Sequence, residues 1–331
     1  MEYINKKLKY LNCHDNDEFI SFDPKYHKYT ISKDLKSYYT SVTTSVKKLF
    51  EPFDENSIIP SLIKKEGSIY YGMTEEQVKD KWKQNAALGT ELHEHIETFL
   101  NLEPHGCQGV KDVSHEMLLD FYNYLVNNGK YPINNSSPEW NYFINFVNDT
   151  KEFIPYRTEW SIFDLNLKLS GSIDMVYKIP KKYKRNYVSK YNKKQISSTV
   201  CEFKLEESDS ESESESDSGI VIEDLDDNET DETKEYYYAI YDWKRAEKIS
   251  AESDFYHKYS IHPKLSNKIP DTNFWHYAMQ LNIYKYILER NYNIRIDELC
   301  LVKLHPNNVS NNYELIDIPD LQKEVELIFT K

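Results

Sequence analysis

The 331-residue chain has no run of eighteen apolar residues, the length a helix needs to cross a bilayer. Its first ten residues are charged and carry no apolar segment of the kind found in a secretory signal. These absences point to a soluble intracellular protein without a membrane partner and leave the compartment open. Closely spaced cysteines are also lacking. Cys13, Cys107, Cys201 and Cys300 lie far apart with no C-x-x-C pair, so neither a zinc knuckle nor a disulfide framework is indicated, and reduced thiols are expected.

An excess of positive charge is missing as well, since 55 acids outnumber 41 bases for a formal net charge of −14. Taken whole, that argues against a nucleic-acid partner, but the location of the charge matters more than its sum. Residues 206–235 hold fifteen of the acids and a single lysine, which leaves forty acids and forty bases elsewhere. The acidity therefore belongs to one segment. Just before it, residues 178–195 carry eight lysines or arginines and no acid. Neither half can bury enough apolar surface to offset the entropy of ordering, so residues 179–234 are expected to be a flexible insertion.

What is present is a succession of short elements. Residues 19–31 alternate around Asp23-Pro24 as a hairpin, and Ser41 and Thr43-Thr44 lead into a capped helix. A helix is expected at 57–65. Thr74 with Gln77 forms a capping box that opens another through Trp82, and a further helix is expected over 86–101. Helices at 113–127 and from Ser137-Pro138 onward precede two strands, 156–163 and 167–177. After the insertion come a strand over 236–243, a helix over 274–290, strands at 299–304 and 313–318, and a last helix at 321–329. The order predicts an α/β fold with a mixed sheet. An inserted loop adds little closure entropy, so the strand ending at Tyr177 is expected to pair with the one starting at Tyr236.

Several of these elements carry a polar residue in an otherwise apolar setting. His93 and Glu97 share a helix face at i, i+4, beside the small pair Gly89-Thr90. Asp174 lies in the apolar run Ile173 to Tyr177, where a carboxylate needs a partner or a metal. Asp242 and Lys244 stand two apart on one strand face, and Gln280 and Tyr284 share another helix face. The order Gly89-Thr90-x-x-His93-x-x-x-Glu97, Gly171-x-x-Asp174, Asp242-x-Lys244, Gln280-x-x-x-Tyr284 resembles the RecB-like branch of the PD-(D/E)XK nuclease superfamily. Within that branch it is most similar to mitochondrial genome maintenance exonucleases and nucleases of large DNA viruses. The likeness runs from about residue 41 to 327 and leaves out the insertion.

The resemblance implies a restriction-endonuclease-like α/β core with a mixed β-sheet flanked by helices. That core would cover 86–331, interrupted at 179–234, after an N-terminal hairpin and helical lead-in over 1–85. It implies Asp174, Asp242 and Lys244 as the catalytic group, and a metal held by His93, Asp174, Asp242 and the Trp243 carbonyl. Gln280, Tyr284 and Arg245 would contact the substrate. Hard oxygen ligands suit Mg²⁺ or Mn²⁺, which activates water at a phosphodiester. The relatives with an iron–sulfur cluster carry a cysteine quartet that this chain lacks, so no cluster is expected. The implied function is a DNA nuclease, acting as an exonuclease. The alternatives are a catalytically weak nuclease fold serving as a DNA-binding or replication and repair accessory module, and a chaperone of basic proteins suggested by the Ser/Glu tract.

Four points stay open at this level. Glu202-Phe203-Lys204 spells the same acid-x-lysine pattern; Asp242 and Lys244 are preferred because their strand is longer and leads toward the Gln280 helix. Glu159 either points into the site or pairs with Arg157, and Glu97 either joins the site or pairs with a base on its own face. The acidic insertion could occupy the substrate groove or engage a regulatory partner, against the plainer reading of a solvated loop. His95, His276 and His305 receive no role.

Overall fold

The computed structural model describes residues 6–133, 135–183, 235–252, 258–265 and 268–330. The proposed regulatory segment and the Glu202/Lys204 alternative fall outside the described residues.

Helices α1 (Lys7–Leu11), α2 (Val42–Lys47), α3 (Glu55–Lys64), α4 (Glu75–Leu100), α5 (His115–Asn127) and α6 (Pro138–Asp149) alternate early in the chain with three short strands. These are β1 (Ile20–Asp23), β2 (Lys28–Ile31) and β3 (Thr40–Ser41). Then follow β4 (Ile154–Asp164), β5 (Leu169–Pro180), β6 (Tyr236–Lys244), α7 (Asn273–Asn291), β7 (Ile296–Lys303), β8 (Glu314–Asp317) and α8 (Gln322–Phe329). Local chemistry accounts for the helix starts. Ser41, Thr74, Ser114 and Ser137 each accept a backbone N–H of the first turn, and Pro138 occupies a position where its missing donor costs nothing.

One expectation changes. The two helices expected to either side of residue 85 are a single 26-residue helix, because nothing between Trp82 and Leu92 interrupts the hydrogen-bond ladder. The division placed between residues 85 and 86 falls inside it. Residues 83–88 are exposed, whereas Leu92, Ile96, Phe99 and Leu100 are buried. The apolar spacing marked only the half of the helix that packs.

The protein is an α/β structure with a mixed sheet of strands β3 to β8 and helices packed on it. β4, β5 and β6 run antiparallel in turn, β7 is parallel to β6, and β8 is antiparallel to β7. Residues Met175 to Pro180 of β5 pair with Tyr236 to Tyr241 of β6, the pairing expected across the insertion, but Ile179 and Pro180, assigned to the insertion from the sequence, belong to the strand, where Ile179 is buried. A parallel neighbour requires a crossover, and α7 supplies it between β6 and β7. Two cores result. One gathers α7 and α2 with Trp160, Ile173, Ile240 and Leu301; the other gathers α4 and α6 with Met175, Tyr177, Tyr241 and Trp243.

The sheet is irregular at one place. β4 follows one edge of β5 from Leu169 to Lys178, while the other edge is shared by β3, at Leu169 and Ser170, and β6, from Met175 onward. Residues 171–174 lie between those two partners. Ile173 and Met175, two apart and expected on one face, belong to opposite cores. Across from Asp174, Glu159 adopts a left-handed backbone with φ 41° in mid-strand. A non-glycine residue holds that conformation only where its surroundings fix it.

Candidate metal and catalytic site

Four distant segments meet at this irregularity. From α4, the Nε2 of His93 lies 3.0 Å from the Trp243 carbonyl oxygen at the end of β6. A carbonyl only accepts, so Nε2 carries a proton and donates. The other ring nitrogen, Nδ1, is 3.6 Å from Asp174 Oδ2 and 3.8 Å from Glu159 Oε1. Asp174 Oδ2 in turn accepts the Trp243 backbone N–H at 3.1 Å, which ties β5 to β6 where their ladder has ended. Ser172, two residues before Asp174, donates to Glu159 Oε2 at 3.0 Å.

Behind this group, Asp242 is almost fully buried and its Oδ2 forms an ion pair with the Lys244 ammonium, without a hydrogen bond of regular geometry. Lys244 also lies 4.7 Å above the ring of Tyr277, one turn before Gln280 on α7. Gln280 Nε2 and the Tyr284 hydroxyl are 3.5 Å apart. The Tyr284 ring packs on Gly171 so closely that a Cβ there would fall 2.7 Å from Tyr284 Cε1. That contact explains the glycine of the Gly171-x-x-Asp174 pattern as a packing requirement.

Electrostatics separate these groups from ordinary surface residues. Burial disfavours a charge on His93, but the Asp174 and Glu159 carboxylates overcome it and raise its pKa to about 9. Burial and the charge of Asp174 push Asp242 up to about 6 against the opposing pull of Lys244. Asp174 is also raised, chiefly by burial, with His93 and Lys244 acting the other way. Partial burial of Lys244 favours its neutral form, yet Asp242 and Asp174 hold it above the usual lysine value. Glu97 is lifted to about 7 by burial and by Glu159. Several mutually perturbed groups beside an opening are the pattern found at functional sites.

The opening is a cleft of about 940 Å³. Glu97, Glu159, Asp174, Gln280 and Tyr284 line it, as do the β1–β2 hairpin residues Phe22, His27 and Tyr29 and the basic Lys6, Lys9 and Lys47. Among the described residues, His93, Glu159 and Asp174 are the group whose ligand atoms all lie within 4.8 Å of one another.

The structure thus brings His93, Glu159, Asp174, Asp242, Trp243 and Lys244 together, with Glu97, Gln280 and Tyr284 along the same cleft. Arg245 is set apart: its Nε donates to Glu139 Oε1 at 2.8 Å and its Nη1 to Asn85 at 3.4 Å, linking β6 to α6 and α4. Glu159 does not pair with Arg157, which is taken by Asp17 at 2.7 Å. The unassigned histidines have local partners, Asn135 for His95, Asp271 for His276 and the Asn307 N–H for His305. Two contributors went unnoticed in the sequence, Tyr277 and Ser172. Their signals were spacing, i−3 from Gln280 on a helix and i−2 from Asp174 on a strand. No family model, curated protein or solved structure matches this chain.

Proposed function

We propose that the chain is a metal-dependent nuclease that hydrolyses DNA phosphodiester bonds, built on a restriction-endonuclease-like core of the RecB-like kind. The observation that carries this reading is the convergence of His93, Asp174, Asp242 and Lys244 from three elements that are remote in sequence. A lone Asp-x-Lys at a strand end is an ordinary surface pair. One buried beside a second carboxylate and a histidine is not, because desolvated charges persist only where an arrangement compensates them.

The donor set fits a hard divalent cation. Carboxylate oxygens with one imidazole suit Mg²⁺ or Mn²⁺. His93, Asp174 and Asp242 would hold the ion, which when bound lowers the pKa of water and neutralises phosphate charge. Lys244 contributes a point charge where the phosphate becomes more negative, and Asp242 with the Tyr277 ring keeps that ammonium in place. Lys6, Lys9 and Lys47 on the cleft wall match the charge of a phosphodiester backbone. Gln280 and Tyr284 shape the wall next to Asp174.

The test is degradation of end-labelled single-stranded DNA, double-stranded DNA and RNA by the full chain with Mg²⁺ or Mn²⁺. Cleavage of DNA that Asp174→Asn abolishes supports the enzyme. Tight DNA binding without cleavage in either metal would instead favour the accessory-module reading.

A further inference from the structure

Glu159 is the residue whose placement the expected ligand pattern does not explain. A glutamate in mid-strand gains nothing from a left-handed backbone, yet Glu159 holds φ 41° directly across from Asp174, with Ser172 donating to its second oxygen. Its side chain lies on the cleft wall, where Asp174 also emerges. Its Oε1 and the Oδ2 of Asp174 lie 3.8 and 3.6 Å from the same nitrogen of His93. Neither distance is a hydrogen bond; a charged imidazole paired directly with a carboxylate closes to about 2.8 Å. Two ligands of an octahedral ion at about 2.1 Å lie about 3 Å apart when adjacent and about 4.2 Å apart when opposite, which brackets both observed values. His93 itself is oriented by the Trp243 carbonyl at Nε2, which leaves Nδ1 as the atom facing the carboxylates. A second ring atom fixed by a backbone carbonyl is the usual way a ligating histidine is aimed.

We propose that Glu159 is a direct ligand of the divalent cation, so that the side-chain ligand set is His93 Nδ1, Glu159 Oε1 and Asp174 Oδ2, with both carboxylates on the cleft wall. This rests on the metal-dependent reading above and adds to it a ligand from β4, with the Trp243 carbonyl acting as the support of His93. Glu159 then explains two observations at once: the strained backbone and the Ser172 hydroxyl that fixes its outer oxygen.

The experiment is Mn²⁺ binding by the full-length chain without nucleic acid, measured by calorimetry and by the electron paramagnetic resonance of free Mn²⁺. Glu159→Gln keeps the shape and the hydrogen bond from Ser172, and its Mn²⁺ affinity is expected to fall by at least about tenfold. Glu159→Gly suits the left-handed backbone, so it is expected to fold and to lose the Mn²⁺-dependent rise in Tm expected of the parent chain. Parent-like Mn²⁺ affinity in Glu159→Gln, with binding lost in Asp174→Asn, would overturn the role of Glu159 and leave the nuclease reading standing. Absence of Mn²⁺ binding by the parent chain would overturn both.

Discussion

Two histidines stand in the helical layer on the α4–α6 side of the sheet, His115 fully buried and His93 half-buried, and their surroundings drive them in opposite directions. His93 stands against Asp174 and Glu159, and those carboxylates outweigh its burial to raise its pKa to about 9. His115 stands among the rings of Phe146, Phe153 and Tyr177, with the hydroxyls of Thr150 and Tyr177 on its two nitrogens, and burial lowers its pKa to about 3. Burial acts on both in the same sense, so the neighbours decide the outcome. Around His115 every polar atom has a partner and the aromatic packing is continuous, as in a region that holds the fold. Around His93 like charges are crowded together and a backbone is strained, which a folded chain tolerates where the arrangement serves something other than stability.

The contrast can be broken from either side. The largest effect is expected from Phe146→Ala, which opens a cavity beneath His115 among Phe153, Tyr177, Tyr241 and Trp243. Truncating a fully buried phenylalanine costs about 3–5 kcal/mol, read as a fall in urea midpoint without loss of the site's chemistry per folded molecule. Lys244→Gln should do the reverse. On the proposed nuclease reading it slows DNA cleavage on the order of 10²–10³-fold, about 2.7–4 kcal/mol of transition-state stabilisation, in single-turnover assays. A cleavage rate equal to that of the parent chain would remove Lys244 from the site.

His115 sharpens the comparison through pH. Its folded-state pKa lies below the ordinary 6.5, so the unfolded chain takes up the proton first and stability is lost as pH falls from 6.5 toward about 3. This one group contributes about 1.4 kcal/mol per pH unit across that window. His115→Gln removes the titration, and its unfolding free energy should decline less steeply below pH 6 than that of the parent chain. An equal loss of unfolding free energy between pH 6.5 and 4.5 in the two chains, measured by urea titration, would refute the assignment. The smallest effect is expected at the seam between the two cores. Gly171→Ala presses a methyl group into the Tyr284 ring and should cost about 1–3 kcal/mol, and Tyr284→Ala in the same chain should recover much of it in a double-mutant cycle.

Much of this arrangement was legible along the chain, though unevenly. The strands β4, β5 and β6 and the helix α7 announced themselves by apolar pattern, and the partnership of β5 with β6 could be read across a long charged segment because loop length adds little to closure cost. Asp174, Asp242 and Lys244 stood out because charged residues rarely occupy apolar runs. The exposed half of α4 read as a separate helix since no apolar stripe marks it; its continuity follows from backbone hydrogen bonding that has no sequence signature beyond the lack of a breaker. Arg245, adjacent to the conspicuous Lys244, shared that residue's apparent destination until Glu139 and Asn85 took its guanidinium.

By itself, then, the sequence determined the element types, the caps and the residues whose chemistry is out of place in an apolar setting, because these depend on spacings of two to four residues that a strand or helix imposes locally. Tertiary structure alone decided which of those residues meet. Glu159 was equally suited to Arg157 and to the cleft; the choice was made by Asp17, 140 residues from Arg157 in the chain, which captured the arginine and left the glutamate to face His93. Such partnerships follow from sheet register and helix packing, which bring distant segments within a few ångströms and have no local pattern to betray them.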